Sequence, residues 1–266
     1  MSEVQNAEIG INQSGADVPD PPNPLITQLF LDTFAIGLYE GIITEYQLST
    51  ELYASVGLYL QKALEKGYGD FETVIDFELF EELKRNLWHF AAAKQYQQNR
   101  TILKSFVAPL ETVPFKDFKA VADPILDNYN KNWLKTEWAT SVAESQAARE
   151  FNELMQDDAV EYIEYVTQED DKVRHDHALL DGAIYPKGHS FWNKYFPPID
   201  FNCRCFTVNH DSDTKPKVIK NPPDIKNFFN TNPAKDRIIF PNAHPYFRVA
   251  KGDKIFREAN YGMPMP

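Results

Sequence analysis

The stretch from Val173 to Cys205, VRHDHALLDGAIYPKGHSFWNKYFPPIDFNCRC, limits the fold more than any other part of this 266-residue chain. It holds both cysteines, three histidines, an Asp-Gly pair and the paired prolines Pro197-Pro198. His175 to Leu180 suits one or two helical turns, ended by Gly182 as a C′ residue. Trp192, Tyr195 and Phe196 beside the prolines read as packing groups that stiffen a connection and cover a small core at low entropic cost. Exposed, the same aromatic-proline group would be an anchor for a partner protein. Cys203 to Val208 reads as a strand.

The texture before this stretch is different. Leu48, Leu52, Val56 and Leu60 recur at helical spacing within residues 25–66, which predicts two or three amphipathic helices. A clearer helix is expected from Asp76, as its cap, to about Phe106, with Leu79, Phe80, Leu83, Leu87, Phe90 and Ala91 along one stripe. His89, at the edge of that stripe, reads as packing or surface. A longer helix is expected from Phe115 to Met155, with Phe118, Ala122, Ile125, Tyr129, Trp133 and Val142 on its apolar face, and Pro124 as a break or an N1 residue. Then Ala159 to Val166, β-branched and aromatic, reads as a strand followed by a turn over residues 168–171. The expected class is α+β: long N-terminal helices followed by a small α+β domain. The boundaries expected are a flexible arm over 1–24, a helical domain over 25–158, the small domain over 159–210 and an extended tail over 211–266 whose one apolar knot is Ile238-Ile239-Phe240. The arm is polar and ends PDPPNP, a composition that cannot bury enough apolar surface to offset its ordering entropy.

Charge excludes one class of partner. With 27 basic against 39 acidic residues and a net charge of −12, the surface as a whole opposes phosphate backbones, which need clustered Lys and Arg. Nucleic acid is not expected as a main partner. No run of eighteen apolar residues and no signal-peptide pattern occurs, so no membrane partner is expected and synthesis in a cytoplasm is. Two cysteines do not make a secreted disulfide framework. On one strand, Cys203 and Cys205 would share a face with Cα atoms about 6.5 Å apart, at the far edge of disulfide range.

His177 and Asp181 stand at i, i+4 on a helical turn, so the carboxylate can orient the imidazole or join it at a metal. With Cys203 and Cys205 they make a four-ligand set that a structural zinc would fit, although the expected reading is no cofactor. The same residues also fit a domain without metal, in which His177 and Asp181 bond to backbone and the cysteines fill the core. A third reading is chemistry at a Cys-His pair or at zinc-activated water. Against it, neither H-E-x-x-H nor the deaminase pattern occurs, and Arg204 on a strand would point away from the thiols. His189, His210 and His244 have loop contexts without specific partners.

Arg174, His177, Leu180, Asp181 and Gly182, then Phe191 and Trp192, then Pro197, Pro198, Cys203, Arg204 and Cys205 resemble the signature of phage Mu protein F-like minor head proteins, the head-morphogenesis proteins. That signature runs R-x-x-H-x-x-L-D-G, F-W, P-P-N-G-x-x-C-R-C. Lys135-Thr136-Glu137 resembles the family's upstream basic-Thr-Glu element, so the resemblance covers roughly Leu83 to Val208. It departs at Ile199-Asp200, where the family often has Asn-Gly, and at His175, where it often has Pro. The resemblance implies a minor head protein of a tailed phage or prophage, present in few copies in the virion, at the capsid interior or portal vertex. It implies partnership with the portal and other capsid or procapsid proteins, and a part in head assembly, genome packaging or genome delivery, without enzymatic activity. Some members carry a C-terminal effector domain; the residues after Val208 are too few for most such enzymes, and none is expected here. The alternative function is a small zinc-dependent hydrolase or nuclease of phage origin using His177, Asp181, Cys203 and Cys205.

Overall fold

The computed structural model describes residues 23, 25–70 and 74–266. The arm expected over 1–24 lies outside the described residues apart from Asn23, whose side chain donates to Ser55 O at 3.0 Å. Helices α1 (Gln28–Tyr39), α2 (Thr50–Tyr68) and α3 (Val74–Leu103) come first. Thr27 Oγ1 accepts from Phe30 N and Ser49 Oγ from Leu52 N, each at 3.2 Å. Each cap satisfies an amide that the helix start leaves without an intrahelical partner. Asp76, the expected cap of the third helix, lies inside its first turn instead. There the helix dipole favours a carboxylate, and Asp76 accepts from Asn152 Nδ2 at 2.8 Å.

The helix expected from Phe115 to Met155 is continuous in path and broken in register. It comprises α4 (Phe115–Asp127), a π-helical turn (Asn128–Asn132) and α5 (Trp133–Gln156), with Pro124 inside α4 rather than at its start. A π turn adds a residue to the helical ladder and rotates everything after it. Trp133, expected on the buried stripe, is therefore 45 % exposed, whereas Leu134, Glu137 and Trp138 are buried. The first core forms where α2 packs against α3 and α5, around Leu60, Leu64, Leu87 and Phe90. Gly57 permits the close approach of α2 and α3: a Cβ there would stand 2.5 Å from the Trp88 ring.

Strands β1 (Tyr162–Val166), β2 (Ala183–Pro186) and β3 (Phe206–His210) form an antiparallel sheet in the order β2-β1-β3, with Glu164 opposite both Ile184 and Val208. Short helices α6 (His175–Ala178) and α7 (Trp192–Tyr195) lie in the connections. Ile163 and Tyr165, alternating with half-buried neighbours, enter a second core with Phe151 of α5, Trp192, Phe196, Ile199 and both cysteines. The first strand starts at Tyr162 rather than Ala159. The last starts at Phe206, so the cysteines precede it: Asn202 takes φ +54° and Cys203 N bonds to Asp200 O at 3.2 Å, closing a turn that delays the ladder.

Residues 211–266, expected as an extended tail, instead form short helical turns that run over both cores. These include α8 (Pro233–Asp236) and α9 (Lys254–Glu258). Ile225 belongs to the second core, and Ile239, Phe240, Tyr246, Phe247 and Tyr261 to the first. Phe240 stacks on Phe90 with ring centroids 3.8 Å apart. Low helical periodicity conceals such a segment, because its apolar residues are spaced by the grooves they fill. No helix of the described residues is long and apolar enough to cross a membrane.

Candidate functional site

The second core brings His177, Cys203 and Cys205 together. Helix α6 carries His177, and the turn after Pro197-Pro198, whose peptide bond is cis, carries the thiols. His177 Nδ1 lies 3.4 Å from Cys205 Sγ and 3.6 Å from Cys203 Sγ, and the three groups are 2 %, 4 % and 4 % exposed. All three candidate ligand atoms lie within 4.8 Å of one another. Asp181, the fourth residue of the set read from the sequence, is engaged elsewhere. Its Oδ1 accepts from Thr167 N at 2.7 Å and Thr167 Oγ1 at 2.9 Å, pinning the end of β1 to the turn after α6. Gly182, at φ +68°, follows directly, and its N–H donates to Tyr165 O at 2.8 Å.

The thiols titrate as a pair. The hydrogen bond from Cys205, with His177 alongside, draws the Cys203 thiol well below its ordinary range, and the same bond, together with burial, pushes Cys205 up. Two further groups here escaped the sequence reading. Glu144 of α5 is 4 % exposed, and burial, then the charge of Cys203, raises its carboxyl well above the usual range. Tyr165 of β1 is fully buried beside both sulfurs, and burial raises its phenol. Glu144 could have been found: it lies seven residues after Glu137, two helical turns along the same face.

Other residues of the motif hold its three blocks in place. Arg174 donates to Phe201 O at 2.7 Å and approaches Asp200, whose buried carboxylate also takes Lys226 Nζ at 2.7 Å. Asp200, at the departure from Asn-Gly, is thus an ion-pair anchor. Arg204 faces away from the sulfurs and forks onto Asp170, whose carboxyl its hydrogen bonds draw down to about 2. Trp192 Nε1 donates to Pro186 O at 3.1 Å and Tyr195 Oη to Pro223 O at 2.7 Å, with both rings buried. The aromatic-proline group therefore packs.

Glu137 lies in the first core, in contact with none of these. Lys94 Nζ is 2.8 Å from both of its oxygens, and Tyr246 Oη donates to Oε1 at 2.9 Å. Lys94, missed in the sequence, was legible as a lysine four residues after Phe90 on a buried face. The histidines read as lacking partners have them. His189 Nδ1 accepts from Phe191 N, His210 meets Glu164 at 2.7 Å and His244 Nδ1 accepts from Tyr246 N. These contacts are made by the turns and the sheet, which local pattern does not reveal. His89 packs, stacked on Phe247 and bonded to Asn260.

Residues 91–208 match the family model described as Phage Mu protein F like protein. No curated protein and no solved structure matches significantly. The matched segment opens beside Lys94 in α3 and closes within β3, spanning the buried Lys94–Glu137 pair and the whole His-Cys cluster. Over residues 91–208, a little under half of its length, the chain is therefore similar to the Phage Mu protein F like family.

Proposed function

We propose that the chain is a minor head protein of a tailed phage or prophage, acting through contacts with the portal and other capsid or procapsid proteins. Made in the host cytoplasm, it enters the virion at the capsid interior or portal vertex and assists assembly, genome packaging or genome delivery. The observation that carries this reading is the family match over 91–208. The packing of that segment agrees with a scaffold role: its signature residues anchor turns and fill cores. The net charge of −12 favours protein contacts over coating DNA. Co-expression with the cognate portal protein tests the proposal. Co-elution on size exclusion, and the chain in purified particles, is the expected result; separate elution at micromolar concentration with no copy in the particle overturns it.

The zinc-dependent hydrolase or nuclease reading draws on the same cluster. A catalytic metal keeps a position open to substrate, whereas His177, Cys203 and Cys205 are all buried and Asp181 is engaged by Thr167. Burial favours a structural role for these residues.

A further inference from the structure

We propose that His177 Nδ1, Cys203 Sγ and Cys205 Sγ hold a structural zinc ion that fastens α6 to the turn before β3. The geometry is close to that of an assembled site. With Zn–N of about 2.0–2.1 Å and Zn–S of about 2.3 Å at tetrahedral angles, a nitrogen and a sulfur ligand stand roughly 3.6 Å apart and two sulfurs roughly 3.8 Å. The observed nitrogen–sulfur separations are 3.4 and 3.6 Å, and the sulfurs lie within 4.8 Å of each other. The donors therefore need little movement to close around one ion.

A second observation points the same way. Polar groups around the sulfurs lack the oxygen or nitrogen partners that buried groups normally have. Among the described residues, His177 Nε2 has no hydrogen-bond partner, the Tyr165 hydroxyl meets only the Cys205 sulfur, and the only polar contacts of His177 Nδ1 are with sulfur. An apolar centre would not gather these groups without cost. A divalent cation at the sulfurs engages Nδ1 and both thiols. Thiolate and imidazole together select zinc over calcium or magnesium, which take oxygen ligands. Both cysteines bind as thiolates, any S–H proton still held being released to solvent as the Zn–S bond forms, and His177 binds through the Nδ1 lone pair.

The test uses the full chain, purified under reducing conditions without a metal-affinity step and dialysed against buffer with trace zinc. Elemental analysis should find about one zinc per chain, and a high-affinity chelator should lower Tm. Cobalt in place of zinc should give a thiolate-to-metal charge-transfer band that Cys203→Ser and Cys205→Ser each weaken. His177→Ala should retain less than about a tenth of the zinc. A wild-type chain that takes up no zinc at micromolar free metal, with a Tm indifferent to chelator, overturns the site in favour of packed thiols. So does zinc retained in full by all three variants. The wild-type measurements decide the matter even where a variant does not fold, and portal co-elution plays no part in them.

Discussion

Replacing Glu137 with alanine should be among the most damaging single changes in the helical core. In the wild type, Lys94 Nζ lies 2.8 Å from both carboxylate oxygens, with side-chain exposures of 2 % for Lys94 and 6 % for Glu137. Tyr246 Oη completes the arrangement at 2.9 Å from Oε1, and the ammonium stands 5.3 and 5.2 Å from the Tyr129 and Tyr246 ring centres. Glu137→Ala leaves that ammonium in the core with two ring faces and no anion. Removing one partner of a buried ion pair costs about 3–5 kcal/mol, and the stranded Tyr246 hydroxyl adds about 1–3 kcal/mol. The sum, roughly 4–8 kcal/mol, rivals the whole stability of an ordinary domain, ~5–15 kcal/mol. The double variant Lys94→Met/Glu137→Gln removes both charges and keeps an oxygen for Tyr246. It should recover at least about 2 kcal/mol of the loss, because a buried pair gains little net energy over an uncharged, well-packed replacement. Urea unfolding followed by circular dichroism, with the denaturant slope compared between variants, provides the measurement. A loss below about 1 kcal/mol for Glu137→Ala, or a double variant less stable than that single one, would refute the reasoning.

Asn232 is fully buried, caps α8 by accepting from Ala234 N at 3.0 Å, and donates to Trp192 O at 2.9 Å. Asn232→Ala should therefore cost about 2–4 kcal/mol, as a lost cap plus an unpaired carbonyl, and should speed proteolysis after residue 211; an unchanged cleavage rate would count against the strapping role of the C-terminal segment. His244 is held neutral, its pKa lowered to about 3 by burial first and by the charges of Lys94 and Arg248 second. The unfolded chain takes up this proton below about pH 6.5 and the folded chain does not, so stability falls as pH drops from about 6.5 towards 3, by about 2 kcal/mol between pH 7 and pH 5. His244→Asn should flatten that part of the stability–pH curve, and an identical slope in both proteins would contradict the assignment.

The helices, the change to β structure near residue 160 and the clustering of chemistry after Val173 could all be read from the chain, because each depends on local pattern. Helical spacing marks α2 and α3, β-branched and aromatic residues mark β1, and Gly182 marks the stop after α6. The spacing of Arg174 to Cys205 was sufficient for the family resemblance. Tertiary structure decided matters that depend on residues distant in sequence. The π turn at 128–132 moved Trp133 to the surface and Glu137 into the core, a rotation that no heptad or stripe announces. The turn at Asn202 put the cysteines ahead of β3, and Asp181 went to Thr167 while the two cysteines closed on His177. The irregular segment after residue 211 buries Phe240, Tyr246 and Phe247 against α3, whose exposed grooves exist only once the helices have packed. Local dihedral preference and side-chain period are properties of a short stretch, whereas a buried charge is defined by which segments exclude water together.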